Sequence, residues 1–343
     1  MKWASDINGG IERMNRDFAL GLISRLSLFR AGYGMTKEGT MKHADDYLDV
    51  QNNDSLAVTY TVNGETKTAR TSSDHYELAQ VYAQKLISNR QYKMNTDFHQ
   101  IFKNECQWVK TVNEDVMYEV AFVKNSGGDV AWCIGLSVVG GSYGSGTSYT
   151  QLSAPYVLSC DQDDQRYGAT VANYIYHTKK KKKPVKANAS VPAKWCRLWL
   201  PENPGASSSK STGINWPIMR YSDVLLMLAE AENELNGPTD LAKDALKQVR
   251  ERAFINSSKK TEKVDNYVNA LADKTSFFEA IVNERAWEFG GEMMRKWDLV
   301  RWNKFGEKVL QMIAMQDKMG RESNLINSTG DEDKSLSPSN EYA

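Results

Sequence analysis

Between residues 218 and 302 apolar side chains recur every three or four positions, and that period commits this part of the chain to packed helices. Ile218, Tyr221, Leu225 and Leu228 form one stripe, Gly237 and Pro238 interrupt it, and Leu241, Ala245, Val249 and Ala253 form the next. The pattern predicts an antiparallel helix pair. A second pair is expected from Ser276, where Ser276 and Glu279 have capping-box spacing. It runs through Phe277, Ile281 and Phe289 to Trp297, Val300 and Trp302. Ala229, Ala231 and Ala245 are small where backbones must approach. Helix pairs of this length read as tetratricopeptide-like units, which bury their apolar faces by stacking.

Upstream, Ile11, Met14, Phe18, Leu22, Leu26 and Phe29 predict one helix over residues 11–30. Leu78, Tyr82 and Leu86 predict another over 77–92, with Asp74 and Glu77 read as its capping start. From 105 the period is lost. Two alternating runs, Val116–Val123 and Ala131–Val139, read as short strands, and the remainder is Gly, Ser, Asn, Pro and aromatic residues. Long irregular segments are uncommon unless they carry function, so a binding site is sought there first. The fold class expected is mainly α: a helical-repeat scaffold with a loop-rich insertion containing short strands. Its parts are a helical segment at 1–104, the ligand-binding insertion at 105–216, C-terminal repeats at 217–310 and a tail at 311–343.

Composition removes several function classes. Of 343 residues, 41% are apolar, enough for a sizeable core, and 43 Lys and Arg balance 43 Asp and Glu, so no net field favours nucleic acid. No apolar run approaches the roughly 20 residues of a membrane helix. The first residues have no apolar leader segment. Cys106, Cys133, Cys160 and Cys196 lack metal-ligand spacing and read as free, buried thiols, although two disulfides in three connectivities are possible for an exported chain. His43, His75, His99 and His177 include no helix-spaced pair, so neither metal nor cofactor is expected. Gly141–Ser148 has phosphate-loop glycines but Thr147 where the lysine would stand, and reads as a flexible loop displaying Tyr143 and Tyr149. Lys179–Lys183 reads as a solvated run with some leaning towards an anionic glycan.

Glu284, Glu288, Glu292, Arg295 and Asp298 fall at spacings of four, four, three and three, which puts all five on one helical stripe. Carboxylates one turn apart approach the separation of a retaining glycosidase pair. Side chains on one helical face point the same way, however, and cannot flank a glycosidic bond. The stripe therefore predicts an interhelical ion network with Arg220, Arg250, Arg252 or Arg285, and no catalytic residue.

Residues 217–235 carry Pro217, Arg220, Tyr221, Asp223, Leu226, Ala229, Glu230 and Ala231 at fixed offsets. Residues 249–253 read Val-Arg-Glu-Arg-Ala, and 284–302 read Glu-Arg-Ala-Trp-Glu-Phe-Gly-Gly-Glu-Met-Met-Arg-Lys-Trp-Asp-Leu-Val-Arg-Trp. In order and spacing these three motifs resemble the SusD/RagB-like family of nutrient-binding outer-membrane lipoproteins. Looser matches at Arg25–Tyr33, 77–94, Asp115–Phe122 and Asp164–Arg166 extend the likeness over nearly the whole chain. The resemblance implies a helical-repeat binding protein at the cell surface, not an enzyme, that captures a glycan and delivers it to a SusC-like TonB-dependent transporter. The family's lipoprotein signal, acylated cysteine and first helical repeat have no counterpart here, so the chain is expected to be N-terminally truncated, with membrane attachment only through an anchor outside it.

Sugar rings present apolar C–H faces that stack on exposed indole and phenol rings, while their hydroxyls need polar partners. Among the insertion's aromatics the candidate ligand-binding residues are Trp108, Trp132, Tyr143 and Tyr149. Trp195, Trp199 and Trp216 are expected in the core. A peptide-binding module of the same family, using a concave helical groove, is the alternative, and a glycoside hydrolase the remoter one.

Overall fold

The computed structural model of the protein describes residues 1–89, 92–124, 126–177, 181–185, 189–203 and 210–328, and for 322–328 the backbone alone. The fold is mainly α. Its scaffold helices are α1 (Arg16–Ala31), α2 (Ser72–Asn89), α3 (Phe98–Cys106), α4 (Tyr221–Asn236), α5 (Asp240–Ala253), α6 (Lys274–Glu288), α7 (Arg295–Arg301) and α8 (Phe305–Ser328). α1 packs on α2, α2 on α4, and α4 on both α5 and α6, which is a tetratricopeptide-like stack.

α4 lies at the centre of that stack. Every residue from Tyr221 to Asn233 is buried, including Asp223, Glu230 and Glu232. The helix ends where Gly237 turns to φ 80°, and α5 begins under a Thr239 cap. Ile218, read as the first member of this helical stripe, lies instead on the strand Trp216–Arg220. In α1 the buried face also differs from the one expected. Phe18 and Leu28 are buried beside the small Gly21, Ser24, Ser27 and Ala31, because α2 approaches closely and Ser24 Oγ donates to the Ala79 carbonyl at 2.9 Å. Leu26 and Phe29 are left facing outward.

Two caps sit three residues upstream of their expected positions. Thr71 caps α2: its Oγ1 accepts from the Asp74 N–H, and Asp74 accepts from the Thr71 N–H at 2.8 Å, a reciprocal capping box. Asp273 caps α6 through the N–H groups of Thr275 and Ser276. The stripe from Glu284 to Asp298 is likewise not one helix. α6 stops at Glu288, and the link to α7 passes through Gly291 at φ 81° and Met293 at φ 62°.

The strands are short and paired in twos. β1 (Val58–Val62) and β2 (Glu65–Ala69) form a hairpin on the Asn63-Gly64 turn, both of whose residues have positive φ. β3 (Val116–Val120) pairs antiparallel with β6 (Trp216–Arg220), clasping the two ends of the irregular segment. Within it β4 (Tyr174–His177) pairs with β5 (Lys181–Pro184). The second expected strand, Ala131–Val139, is instead a helical turn at Val130–Cys133 followed by a single bridging residue, Val138. All four cysteines are free thiols, and only Cys106 and Cys196 are buried, Cys133 and Cys160 being half-buried. Among the described residues no helix is long and apolar enough to cross a membrane.

Candidate functional site

The irregular segment is tied to the scaffold by buried charge. Arg166 donates to Asp164, to Glu284 at 2.7 Å and to Glu288 at 3.1 Å. Arg220 reaches Glu288 at 2.7 Å and Glu292 at 2.8 Å. Arg250 pairs with Glu284 at 2.6 Å, and Arg252 bridges Asp115 and Glu288. Lys194, wholly buried, donates to Glu292 and to the Glu288 carbonyl. Five cations thus meet five carboxylates. Burial alone would raise the Glu288 carboxyl, but Arg252, Arg220 and Arg166 hold it well below the usual carboxylate range. Lys194 is drawn down to about 8 by burial, which Glu292 only partly offsets.

A second balanced cluster joins α1, α4, α6 and α7: Arg25, Arg285 and Arg301 against Asp223, Asp298 and Glu230. The expected partners Arg220, Arg250, Arg252 and Arg285 are all engaged, Arg285 in this second cluster. Arg295, expected in the network, instead donates to the Val282 carbonyl at 2.6 Å. Arg166 and Lys194 were not foreseen as partners. Every carboxylate of the stripe is spent on a cation, and the arrangement is that of a scaffold.

The candidate ligand-binding residues meet different fates. Trp132 stands on the turn Val130–Cys133, half-buried, with Tyr149 edge-on at 5.2 Å between ring centroids and 87° between planes. Tyr149 is 70% exposed. The pair is braced by backbone: the Thr147 N–H donates to the Trp132 carbonyl at 2.8 Å, and the Tyr149 N–H to the Cys133 carbonyl at 2.7 Å. Gly146 permits this approach, since a Cβ there would lie 2.8 Å from the Ala131 carbonyl oxygen. Lys210 Nζ sits 4.5 Å from the Trp132 ring centroid.

Trp108, at φ 56°, donates its indole N–H to the Gly213 carbonyl at 2.9 Å, and Lys124 lies 4.4 Å from its ring centroid. Residues 210–213 run beside 127–128 and connect Lys210 over Trp132 with Gly213 under Trp108. Residues 210–213 thus link Trp108 to the Trp132–Tyr149 pair. Tyr143, half-buried like Trp108, packs with it against the buried cluster around Trp195, and its carbonyl accepts from Arg197 Nε at 2.6 Å.

Trp195 is buried, its indole N–H donating to Glu105 at 2.6 Å, and it stacks on Trp216 at 4.8 Å; Trp199, half-buried, packs against the same cluster. Burial raises the Glu105 carboxyl well above its ordinary range and pushes Glu119 up to about 7. Among the described residues no three His, Cys, Asp or Glu side chains converge so as to hold a metal ion. Lys179 and Lys180 of the lysine run lie outside the described residues.

Known proteins agree with this architecture. The family model described as "SusD family" matches residues 49–342. SusD-like protein P25 of Formosa agariphila is 45% identical over 85 residues, 25% of this chain and 15% of that protein. A SusD homologue from Bacteroides thetaiotaomicron superposes with TM-score 0.72 at 24% identity, covering 91% of this chain and 58% of that one. Surface glycan-binding protein A of Bacteroides uniformis gives 0.56 at 18% identity, covering 88% of this chain and 52% of that one. The chain thus spans little more than half the length of the solved proteins it resembles, and at these identities the likeness to them is one of fold. The family model covers most of the sequence, the fold is shared with solved SusD homologues, and the chain belongs to the SusD family.

Proposed function

We propose that this protein captures a glycan on the aromatic surface formed by Trp132 and Tyr149, with Trp108 beside them, and performs no chemistry on it. The observation that carries this reading is the braced Trp132–Tyr149 pair in the irregular segment, with Trp132 half-buried and Tyr149 exposed. Two rings at right angles offer one face and one edge to a sugar, and backbone hydrogen bonds on both sides limit the entropy lost on binding. A family relative of similar fold is named a surface glycan-binding protein. Absence of catalysis fits the ion network, which ties up the paired carboxylates a hydrolase would use.

In this reading residues 1–104 and 217–310 are the scaffold and 105–216 the binding insertion. The whole protein sits on the outer face of the outer membrane, held there by a lipid anchor. It delivers its ligand to a SusC-like TonB-dependent transporter. Affinity should be modest, with a Kd on the order of micromolar to millimolar, since each stacking ring contributes about 1 kcal/mol beyond the area it buries. Titration of a panel of oligosaccharides, followed by tryptophan fluorescence and by a reducing-end assay on the same samples, tests both halves. Saturable quenching without new reducing ends is expected. Release of reducing ends would make the protein a hydrolase, and no response from any glycan, with saturable binding of peptides, would favour a peptide-binding module.

A further inference from the structure

Lysine side chains lie over several aromatic rings of this segment. Lys210 covers Trp132, Lys124 covers Trp108, and Lys182 lies 4.1 Å from the Tyr174 ring centroid. Backbone pairing links the Trp132 and Lys182 positions. Val138 bridges Gly146, which packs on Trp132, and also bridges Tyr176, which pairs with Lys182 across β4 and β5. With neighbouring strands about 4.8 Å apart, Gly146 and Lys182 are three steps, roughly 14 Å, from each other.

Lys181, Lys182 and Lys183 are all exposed on β5, and among the described residues neither they nor Lys210 forms an ion pair. Lys124 alone is neutralised, by Glu202. Asp129, at the start of the Trp132 turn, and Lys210 both lie near Cys133. A chain whose charges balance overall thus sets Lys210 and Lys182, without an ion pair among the described residues, beside half-buried aromatic rings. Cations above aromatic faces hold positive charge at the height of a stacked sugar's substituents, and a locally one-signed surface concentrates ligands of the opposite sign.

We infer that the ligand is an anionic glycan, a sugar chain carrying uronate carboxylates or sulfate esters that pair with Lys210 and Lys182 while its rings stack on Trp132 and Tyr149. This inference rests on the aromatic surface being the glycan platform. An exposed ion pair adds a few-fold in affinity, so two or three together should favour the anionic chain about tenfold. The interaction should weaken with salt, which screens exposed charges beyond about 10 Å at 0.1 M.

The experiment is calorimetric titration with dextran oligosaccharides, the same oligosaccharides sulfated, and oligogalacturonate, at low and high salt. It compares the wild type, Lys182→Gln with Lys210→Gln, and Trp132→Ala with Tyr149→Ala. Expected are about tenfold tighter binding of at least one anionic ligand, loss of that advantage at high salt and in the lysine variant, and loss of binding in the aromatic variant. Preference for the sulfated or the uronate arm names the anionic group. Neutral dextran bound as tightly as both anionic ligands, and lost in the aromatic variant, would overturn the charge inference and leave the platform standing. Anionic binding that survives in the aromatic variant would overturn both.

Discussion

At the scale of single residues, the buried charges are locked in pairs while several surface lysines stand free of ion pairs among the described residues. Glu288, fully buried, accepts from Arg166, Arg220 and Arg252. Removing one partner of a buried ion pair strands the others, at a cost of about 3–5 kcal/mol. Glu288→Ala is therefore expected to lower the melting temperature by many degrees, while glycan affinity in the folded fraction stays near wild type. Normal stability with lost binding would place Glu288 in a ligand site. Arg295→Ala, which removes only the bond to the Val282 carbonyl, should cost less, about 1–3 kcal/mol.

Glu119 gives a pH test. Burial holds its carboxyl at about 7 against an ordinary 4.5, with Glu12 adding to the rise and Asn215 and Lys110 opposing it. Between those values the folded state keeps a proton that the unfolded chain releases, so the Glu119 contribution to stability falls as pH rises through the window. His75 and His99, lowered to about 4 by burial, act oppositely: the unfolded chain takes up their protons first as pH falls below 6.5. The test is thus a difference. Relative to wild type, Glu119→Gln should gain stability from pH 5 to pH 7.5, and parallel melting profiles would show that Glu119 is ionised in the fold.

At the scale of elements, helix ends and helix faces carry separate consequences. Thr71→Ala removes one half of the α2 capping box and should cost about 1 kcal/mol, read as a shift in the urea midpoint with unchanged slope. Between α1 and α7 lies a cleft walled by Phe29, Met293 and Trp297 over Arg25, Arg285 and Arg301, with Leu26 exposed nearby on α1. Trp297 is 55% exposed. An outward apolar surface of this kind on the isolated chain should bind a hydrophobic dye, and Leu26→Ser with Trp297→Ser should abolish most of that signal without lowering the melting temperature. Dye binding unchanged in the double variant would mean that another surface, or a loosened core, is responsible.

At the scale of the whole molecule, the helical stack was legible because period three-to-four apolar spacing is a local property, and the helix pair Tyr221–Asn236 and Asp240–Ala253 follows it closely. The ion network was legible in its carboxylates and several arginines, though not as one helical stripe, since Gly291 and Met293 break it and burial rather than helical phase gathers the charges. Arg166 and Lys194 lie 118 and 98 residues from the glutamates they meet, a separation no spacing rule spans. The hairpin at Asn63-Gly64 carried a strong turn signal that went unread. Trp132 and Tyr149 were identifiable as candidates, but their pairing depends on Gly146 and on a backbone bridge between distant loops. Tyr143 shows the same limit: a glycine-rich neighbourhood suggests full exposure, whereas the residue is half-buried and its carbonyl is held by Arg197, 54 residues on.

The central claim, that an aromatic pair on a helical-repeat scaffold captures glycan, is tested most directly by changing Trp132 and Tyr149 together to Ala and titrating a glycan that binds the wild type, with circular dichroism and melting as controls. Tyr143→Ala serves as the comparison. The account predicts at least a tenfold loss of affinity in the double variant with the helical signal and melting temperature close to wild type, and a loss of stability rather than of affinity for Tyr143→Ala. Unchanged affinity in the double variant, in a protein that is demonstrably folded, would contradict it.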